Sequence, residues 1–153
     1  MTKRFTATTN SVFHLFVTLG PIGYLPYAPG TYGSVLACIL LYFFSSVFTH
    51  PLFVLIFIAV TLIVLNSLTL EVNDPGYIII DEVAGMFIAM AGQGVTFLSL
   101  LAGFVLFRFF DIVKPYPIRR VEALPKGYGI LEDDIVAGVF ANLLLILGRR
   151  MMP

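Results

Sequence analysis

Four short polar segments interrupt an otherwise apolar chain, and they hold the residues best suited to chemistry. The first is Pro29-Gly30-Thr31-Tyr32-Gly33-Ser34. The second is Asp74 followed by Asp81-Glu82, with Gly85 one turn on. The third runs from Arg108 to Pro115 and contains Asp111 and Lys114. The fourth is Glu132-Asp133-Asp134, with Gly138 behind it. Carboxylates at the edge of a hydrocarbon phase are costly, at roughly 2.5–3.5 kcal/mol each on insertion scales. Asp74, Asp81, Glu82, Asp133 and Asp134 gathered there, with Asp111 nearby, would repel one another. Magnesium would offset that repulsion, because it takes hard oxygen ligands and shares them with water and phosphate. Those five are the candidate metal ligands. Asp81, Glu82, Asp111, Asp133 and Asp134 are the candidate catalytic groups.

The cations suit the same chemistry. Arg108 and Lys114 stand three residues either side of Asp111, and guanidinium and ammonium groups both bind phosphate. Thr31 and Ser34 add hydroxyls, and their glycine-rich segment adds backbone N–H groups, at a helix start that favours anions. These four are the candidate substrate-binding residues. The expected reaction is phosphate monoester hydrolysis. Metal ions would neutralise the phosphate and acidify a water, and a carboxylate would take its proton. Other phosphatase chemistries lack their parts: no cysteine stands five residues before an arginine, and His14 and His50 lie away from the acids in sequence.

Each residue also has a plainer reading. Singly, Asp81 or Arg108 is a helix-end group reaching for water. Asp133-Asp134, Thr31 and Ser34 could be helix caps. Gly85 and Gly138 read as helix-packing positions. His14 reads as structural, and Cys38 as a buried thiol. Glu71, Arg119, Arg120, Glu122 and Lys126 read as solvated loop charges. Four such motifs at one face are what favour a site.

The elements that must position these groups are membrane helices. Of 153 residues, 59% are hydrophobic and only 12% charged, and the mean hydropathy is +0.97. A soluble domain carries about one quarter charged residues. Net charge is zero, so nothing marks a nucleic-acid partner. No removable signal peptide is expected. Apolar runs begin near residues 34, 52, 77, 95 and 135, and Leu52 to Leu70 alone would reach about 28 Å as a helix. Val83 to Phe107 could be one span, but Gly92-Gln93-Gly94 reads as a turn that splits it. The segment Asp111 to Asp134 reads as a loop. Phe13 to Pro29 carries too many prolines and glycines for one helix. A short helix over about Ser11–Leu19 is expected there, followed by an irregular, interfacial or re-entrant stretch. The expected fold is all-α: a single domain over 1–153, a polytopic bundle of about five spans plus that N-terminal helix.

With five spans every acid falls on one side. So do Lys3, Arg4, Arg108, Lys114, Arg119, Arg120 and Lys126, leaving Arg149 and Arg150 opposite. The positive-inside rule makes the crowded side cytoplasmic.

At these residues the chain resembles the phosphatidylglycerophosphatase A family. The matching pieces are PGTYGS (29–34), DPGYIIIDEVAG (74–85), FRFFDIVKPYP (107–117) and GYGILEDDIVAG (127–138). The resemblance implies a magnesium-requiring enzyme of the bacterial inner membrane. It implies a phospholipid substrate, phosphatidylglycerophosphate, hydrolysed to phosphatidylglycerol and inorganic phosphate. The rival from another class is a membrane cation or proton transporter, which predicts acids at mid-membrane and access from both faces.

Overall fold

The computed structural model describes residues 9–68, 76–116, 118 and 127–151. Among them every regular element is helical. The elements are α1 (Thr9–Thr18), a 3-10 turn (Ile22–Tyr24), α2 (Pro29–Phe43), α3 (Ser45–Phe48), α4 (Pro51–Ser67), α5 (Ile80–Ala89), α6 (Phe97–Val113) and α7 (Gly127–Met151).

Proline sets two of the helix starts. Pro29 and Pro51 stand in the first turns of α2 and α4, where the missing N–H costs nothing and the fixed φ suits a helix. The N-terminal stretch breaks as its composition predicts. α1 ends at Thr18, Gly20 takes φ 68°, and a single 3-10 turn follows before α2. Val17 accepts a backbone hydrogen bond from Ile79 at 3.0 Å, which ties α1 to the segment leading into α5.

The apolar stretch from Val83 to Phe107 is split, as the Gly92-Gln93-Gly94 signal predicts. α5 closes at Ala89, Gly92 takes φ 68°, and α6 opens with a capping box. There Ser99 N–H donates to Thr96 Oγ1 at 3.1 Å, and Thr96 N–H donates to Ser99 Oγ at 2.8 Å.

Contacts fix the direction of each helix. Gly33 of α2 lies against Ile79, and Gly92 N–H reaches Thr49 after α3 at 2.9 Å. So α2 runs alongside α5 in the same sense. Phe16 of α1 packs on Phe57 of α4, and α4 returns to the first end. Asn142 of α7 donates to the carbonyls of Ile88, Ala89 and Ala91 at 2.9–3.0 Å. It thereby satisfies acceptors that the C-terminus of α5 leaves open. α6 runs back between them, with Gly103 beside Met90 and Phe107 beside Gly85. Five segments therefore alternate: α2 out, α4 back, α5 out, α6 back, α7 out.

The core sits where α5 meets its neighbours. Phe87 and Phe107 are fully buried, and Phe87 stacks among Phe48, Phe53 and Phe57. Two glycines set the α5–α7 distance. A Cβ on Gly138 would stand 2.5 Å from Gly85 O, and one on Gly85 would strike the Phe107 ring. Both glycines are packing positions, as expected.

One expectation needs correction, and two of the plainer readings are excluded with it. The segment 111–134 is not wholly loop: α6 continues to Val113, and α7 begins at Gly127. Asp111, Lys114, Asp133 and Asp134 misled the pattern because they face one another at a site rather than solvent. Asp133 and Asp134 accordingly lie in the second turn of α7 and are not its caps. Thr31 and Ser34 do not cap α2 either. Ala28 is the N-cap and makes no side-chain bond, and Ser34 Oγ donates to Gly30 O one turn back at 3.0 Å.

The all-α expectation holds for the described residues. Among them, however, no helix is long and apolar enough to cross a membrane. α2 has 15 residues, and α4 and α6 have 17 each. α7 has 25 but carries Glu132, Asp133, Asp134, Arg149 and Arg150.

Candidate metal and phosphate site

Four helix ends build one site. α5 supplies Asp81 and Glu82 from its first turn. α7 supplies Asp133 and Asp134. α6 supplies Arg108 and Asp111 from its last turns and Lys114 at its cap. α2 brings its first turn, bare of side chain at Gly30, against Glu82 and Arg108. A Cβ on Gly30 would collide with Glu82 Oε1 and stand 3.3 Å from Arg108 Nη1. Glycine here is a requirement of close approach. Gly33, one turn on, lets the Ile79 carbonyl in at 2.8 Å from the position of a Cβ.

Asp81, Glu82 and Asp134 form the centre. Each presents a carboxylate oxygen, and these oxygens lie within 4.8 Å of one another. Asp81 is 6% exposed and Asp134 3%. The carboxyl groups of Asp81 and Glu82 are within hydrogen-bonding reach, as are those of Asp111 and Asp134. The charges of Glu82, Asp111 and Asp133 all bear on Asp134. Buried carboxylates this close must share either a proton or a cation.

The partners are uneven. Arg108 pairs with Asp111 at 2.6 Å, three residues on along α6. Lys114 adopts the left-handed conformation, φ 45° and ψ 58°, and ends the helix. Its ammonium reaches Asp133 at 2.8 Å. Asp111 and Asp133 are thus each matched by a cation, and the pairs flank the three central acids. Among the described residues, Glu82 Oε2, Asp134 Oδ1 and Arg108 Nε are buried with no hydrogen-bond partner. Buried polar atoms are seldom left so. Two acceptors and a donor in one place suit a hard cation beside a phosphate.

Three clustered carboxylates, with open oxygens on Glu82 and Asp134, match magnesium's preference for oxygen ligands and leave positions for water and phosphate. The donor set contains no thiolate or imidazole that would favour a softer ion.

Most of the candidates named from sequence come together here: Asp81, Glu82, Asp133 and Asp134, with Asp111, Arg108 and Lys114 around them. Asp74 lies outside the described residues. Ser34 is fully buried with its hydroxyl turned to its own helix, while Thr31 is half-buried in the first turn of α2. His14 stacks on Tyr77 and Tyr24, at centroid distances of 5.4 and 6.2 Å. Gly30 was legible only as a backbone donor. Its second role, clearance for Glu82, depends on which helix packs against it.

The opposite end of the bundle carries no acid among the described residues. Gly92, Gln93, Arg149 and Arg150 line one hollow there. The alternation of five helical segments, with the described acids at one end, is therefore present in the bundle itself.

Comparison with known proteins gives the family. A family model described as phosphatidylglycerophosphatase A matches residues 15–149. A Bacteroides thetaiotaomicron protein, provisionally named a phosphatidylinositol-3-phosphatase, is 34% identical over 83% of this chain and 87% of its own. Proteins named phosphatidylglycerophosphatase A from Haemophilus influenzae and Escherichia coli are each 37% identical. They cover 89% and 90% of this chain and 87% and 84% of their own. No solved structure matches. With the match spanning all four motif-bearing segments, the chain belongs to the phosphatidylglycerophosphatase A family.

Proposed function

We propose that the protein hydrolyses the terminal phosphate of phosphatidylglycerophosphate in phospholipid synthesis, releasing phosphatidylglycerol and inorganic phosphate. The observation that carries this reading is the convergence of Asp81, Glu82 and Asp134 within 4.8 Å, flanked by Arg108 and Lys114. A transporter reading would put the acids midway along the bundle, whereas these sit at one end.

Asp81, Glu82 and Asp134 would hold Mg²⁺. The ion supplies compact positive charge against the carboxylates and the phosphate oxygens. Arg108 and Lys114 draw the phosphate dianion to this end and orient it. A carboxylate of the cluster accepts a proton from the attacking water. As the water oxygen bonds to phosphorus, the bond from phosphorus to the glycerol oxygen breaks, and the same carboxyl group returns its proton to the departing alkoxide. Burial excludes bulk water, which strengthens each of these charge interactions.

The reading places the bundle in the bacterial inner membrane, multi-pass, with the site toward the cytoplasm. Supporting it are the outward faces of α2, α4, α6 and α7. Phe43 is 70% exposed, Ile63 66%, Leu98 73% and Leu143 50%, and apolar surface this continuous marks contact with a partner or a membrane. At about 26 Å, α4 and α6 are slightly short for the ~30 Å hydrocarbon core. Local bilayer thinning absorbs such a mismatch at fractions of a kcal/mol per Å.

Phosphate release by purified protein tests the activity. Phosphatidylglycerophosphate should be turned over, and phosphatidylinositol 3-phosphate, suggested by the Bacteroides relative's name, should be turned over more slowly. No release from either lipid would end the reading. Orientation is tested separately with Gln93→Cys and Tyr116→Cys, each in a Cys38→Ser background. An impermeant thiol reagent should label Gln93→Cys in intact cells and spare Tyr116→Cys. The reverse pattern would invert the protein, and labelling of both would remove the five-pass arrangement.

A further inference from the structure

α2 and α6 lie side by side, and an apolar groove of about 310 Å³ opens between them. Val35, Cys38 and Tyr42 line it from α2, and Phe97, Leu101 and Phe104 from α6. The spacing on α2 is three then four residues, and on α6 it is four then three, so each set forms one stripe along its helix. Followed toward the acidic end, the α2 stripe reaches Thr31, four residues before Val35. The α6 stripe reaches Arg108, four residues after Phe104. The groove therefore leads into the site along both of its walls. It runs about 11 Å, from Val35 to Tyr42 at 1.5 Å per residue.

We infer that this groove holds one acyl chain of the lipid whose phosphate sits among Arg108, Glu82 and Asp134. The inference rests on the lipid phosphatase reading above. A headgroup at the end of α6 must send its chains away from the acids, and the α2–α6 groove is continuous with the site in that direction. Its walls carry no charge. Val35, Tyr42, Phe97 and Leu101 are 42%, 58%, 75% and 47% exposed, so the lining is open to the side from which a lipid would enter. In a bilayer, tails are as apolar as leucine and supply little net hydrophobic force. The groove then acts by shape. It fixes the first part of one chain, which restricts how the phosphate can sit.

Filling the groove should make the enzyme discriminate by chain length. Leu101→Trp projects bulk into it without touching a charged residue. For dipalmitoyl phosphatidylglycerophosphate KM should rise about tenfold, the low end of what one methylene decides in an apolar pocket. For the dihexanoyl substrate, whose chains fill only part of its length, KM should rise much less. Equal slowing on both substrates, or no change on either, would overturn the groove assignment. So would altered self-association, measured by light scattering, without a chain-length effect, since the groove would then seat a second copy. Cys38 is the only cysteine in the chain and offers a second readout in unmodified protein. Dipalmitoyl phosphatidylglycerol should slow its modification by N-ethylmaleimide more than the dihexanoyl form does, and equal protection would also overturn the assignment. If unmodified protein hydrolyses neither substrate, the phosphatase reading fails by itself, and Cys38 protection still decides the groove.

Discussion

Phosphate release should stop in EDTA and return when Mg²⁺ is added back. The reason lies in the charge count around Asp134. Asp81, Glu82 and Asp134 bring three carboxylates within 4.8 Å, and Asp111 and Asp133 stand close enough to act on Asp134. Arg108 and Lys114 are already committed to Asp111 and Asp133. A phosphate dianion arriving at such a centre without a cation would meet net negative charge. A divalent ion is worth several kcal/mol of charge stabilisation in the transition state, and each ~1.4 kcal/mol is a factor of ten in rate. Turnover in EDTA should therefore fall by at least about 10³-fold. Full activity in metal-free buffer would sink the proposal, because the three central acids would then have to act protonated. A thermal melt supplies an independent check. Ligand bound only by the folded state stabilises it, by about 2.7 kcal/mol at one hundred times Kd. Mg²⁺ should accordingly raise the melting temperature of the unmodified protein.

The sequence marked out the residues that meet at this site better than the elements that carry them. Composition and the turn at Gly92-Gln93-Gly94 gave the number and alternation of the main helices, because apolar runs and breaker residues are local signals. The ends of α6 and α7 were hidden for the opposite reason. Asp111, Glu132, Asp133 and Asp134 look like loop residues to any reading that expects helix faces to be apolar. They are helical because Asp111 is matched by Arg108 on its own face, and because Ile130 and Leu131 beside them are buried in the core. The same burial gives Asp133 and Asp134 a different setting from a cap.

The Arg108–Asp111 pair could be read from its spacing along one helix face, but pairing between helices could not. Lys114 and Asp133 are 19 residues apart and meet only because Lys114 turns left-handed at the end of α6. Nor could spacing show that Gly30 clears room for Glu82, since that depends on where α2 crosses α5. Asn142 reads in sequence as one polar residue in an apolar helix. In the fold it holds the C-terminus of α5 through three carbonyls. It thereby helps fix the α5–α7 register that brings Asp81 and Asp134 together.

That division between central and flanking acids predicts unequal mutational effects. Asp134→Asn and Asp81→Asn keep the shape of the side chain and remove the charge. Each should lower kcat by about 10²–10³-fold, the scale of losing one preorganised electrostatic contact in a dry site. Asp133→Asn should cost less, about tenfold, because the carboxylate's visible partner is Lys114 rather than the central oxygens. The stability readout separates function from structure. Removing a charge from a cluster of like charges relieves repulsion, so Asp134→Asn should melt no lower than the unmodified protein in EDTA. It should also lose most of the Mg²⁺-induced rise. A variant that melted several degrees lower in EDTA yet kept its Mg²⁺ response would assign Asp134 a structural role. Near-normal rates in both Asp81→Asn and Asp134→Asn would remove these residues from the reaction, whatever their position in the cluster. If Asp133→Asn proved the most damaging of the three, the centre of the site would move toward the Lys114 pair. The phosphate would then have to be placed between α6 and α7 rather than against the first turns of α2 and α5.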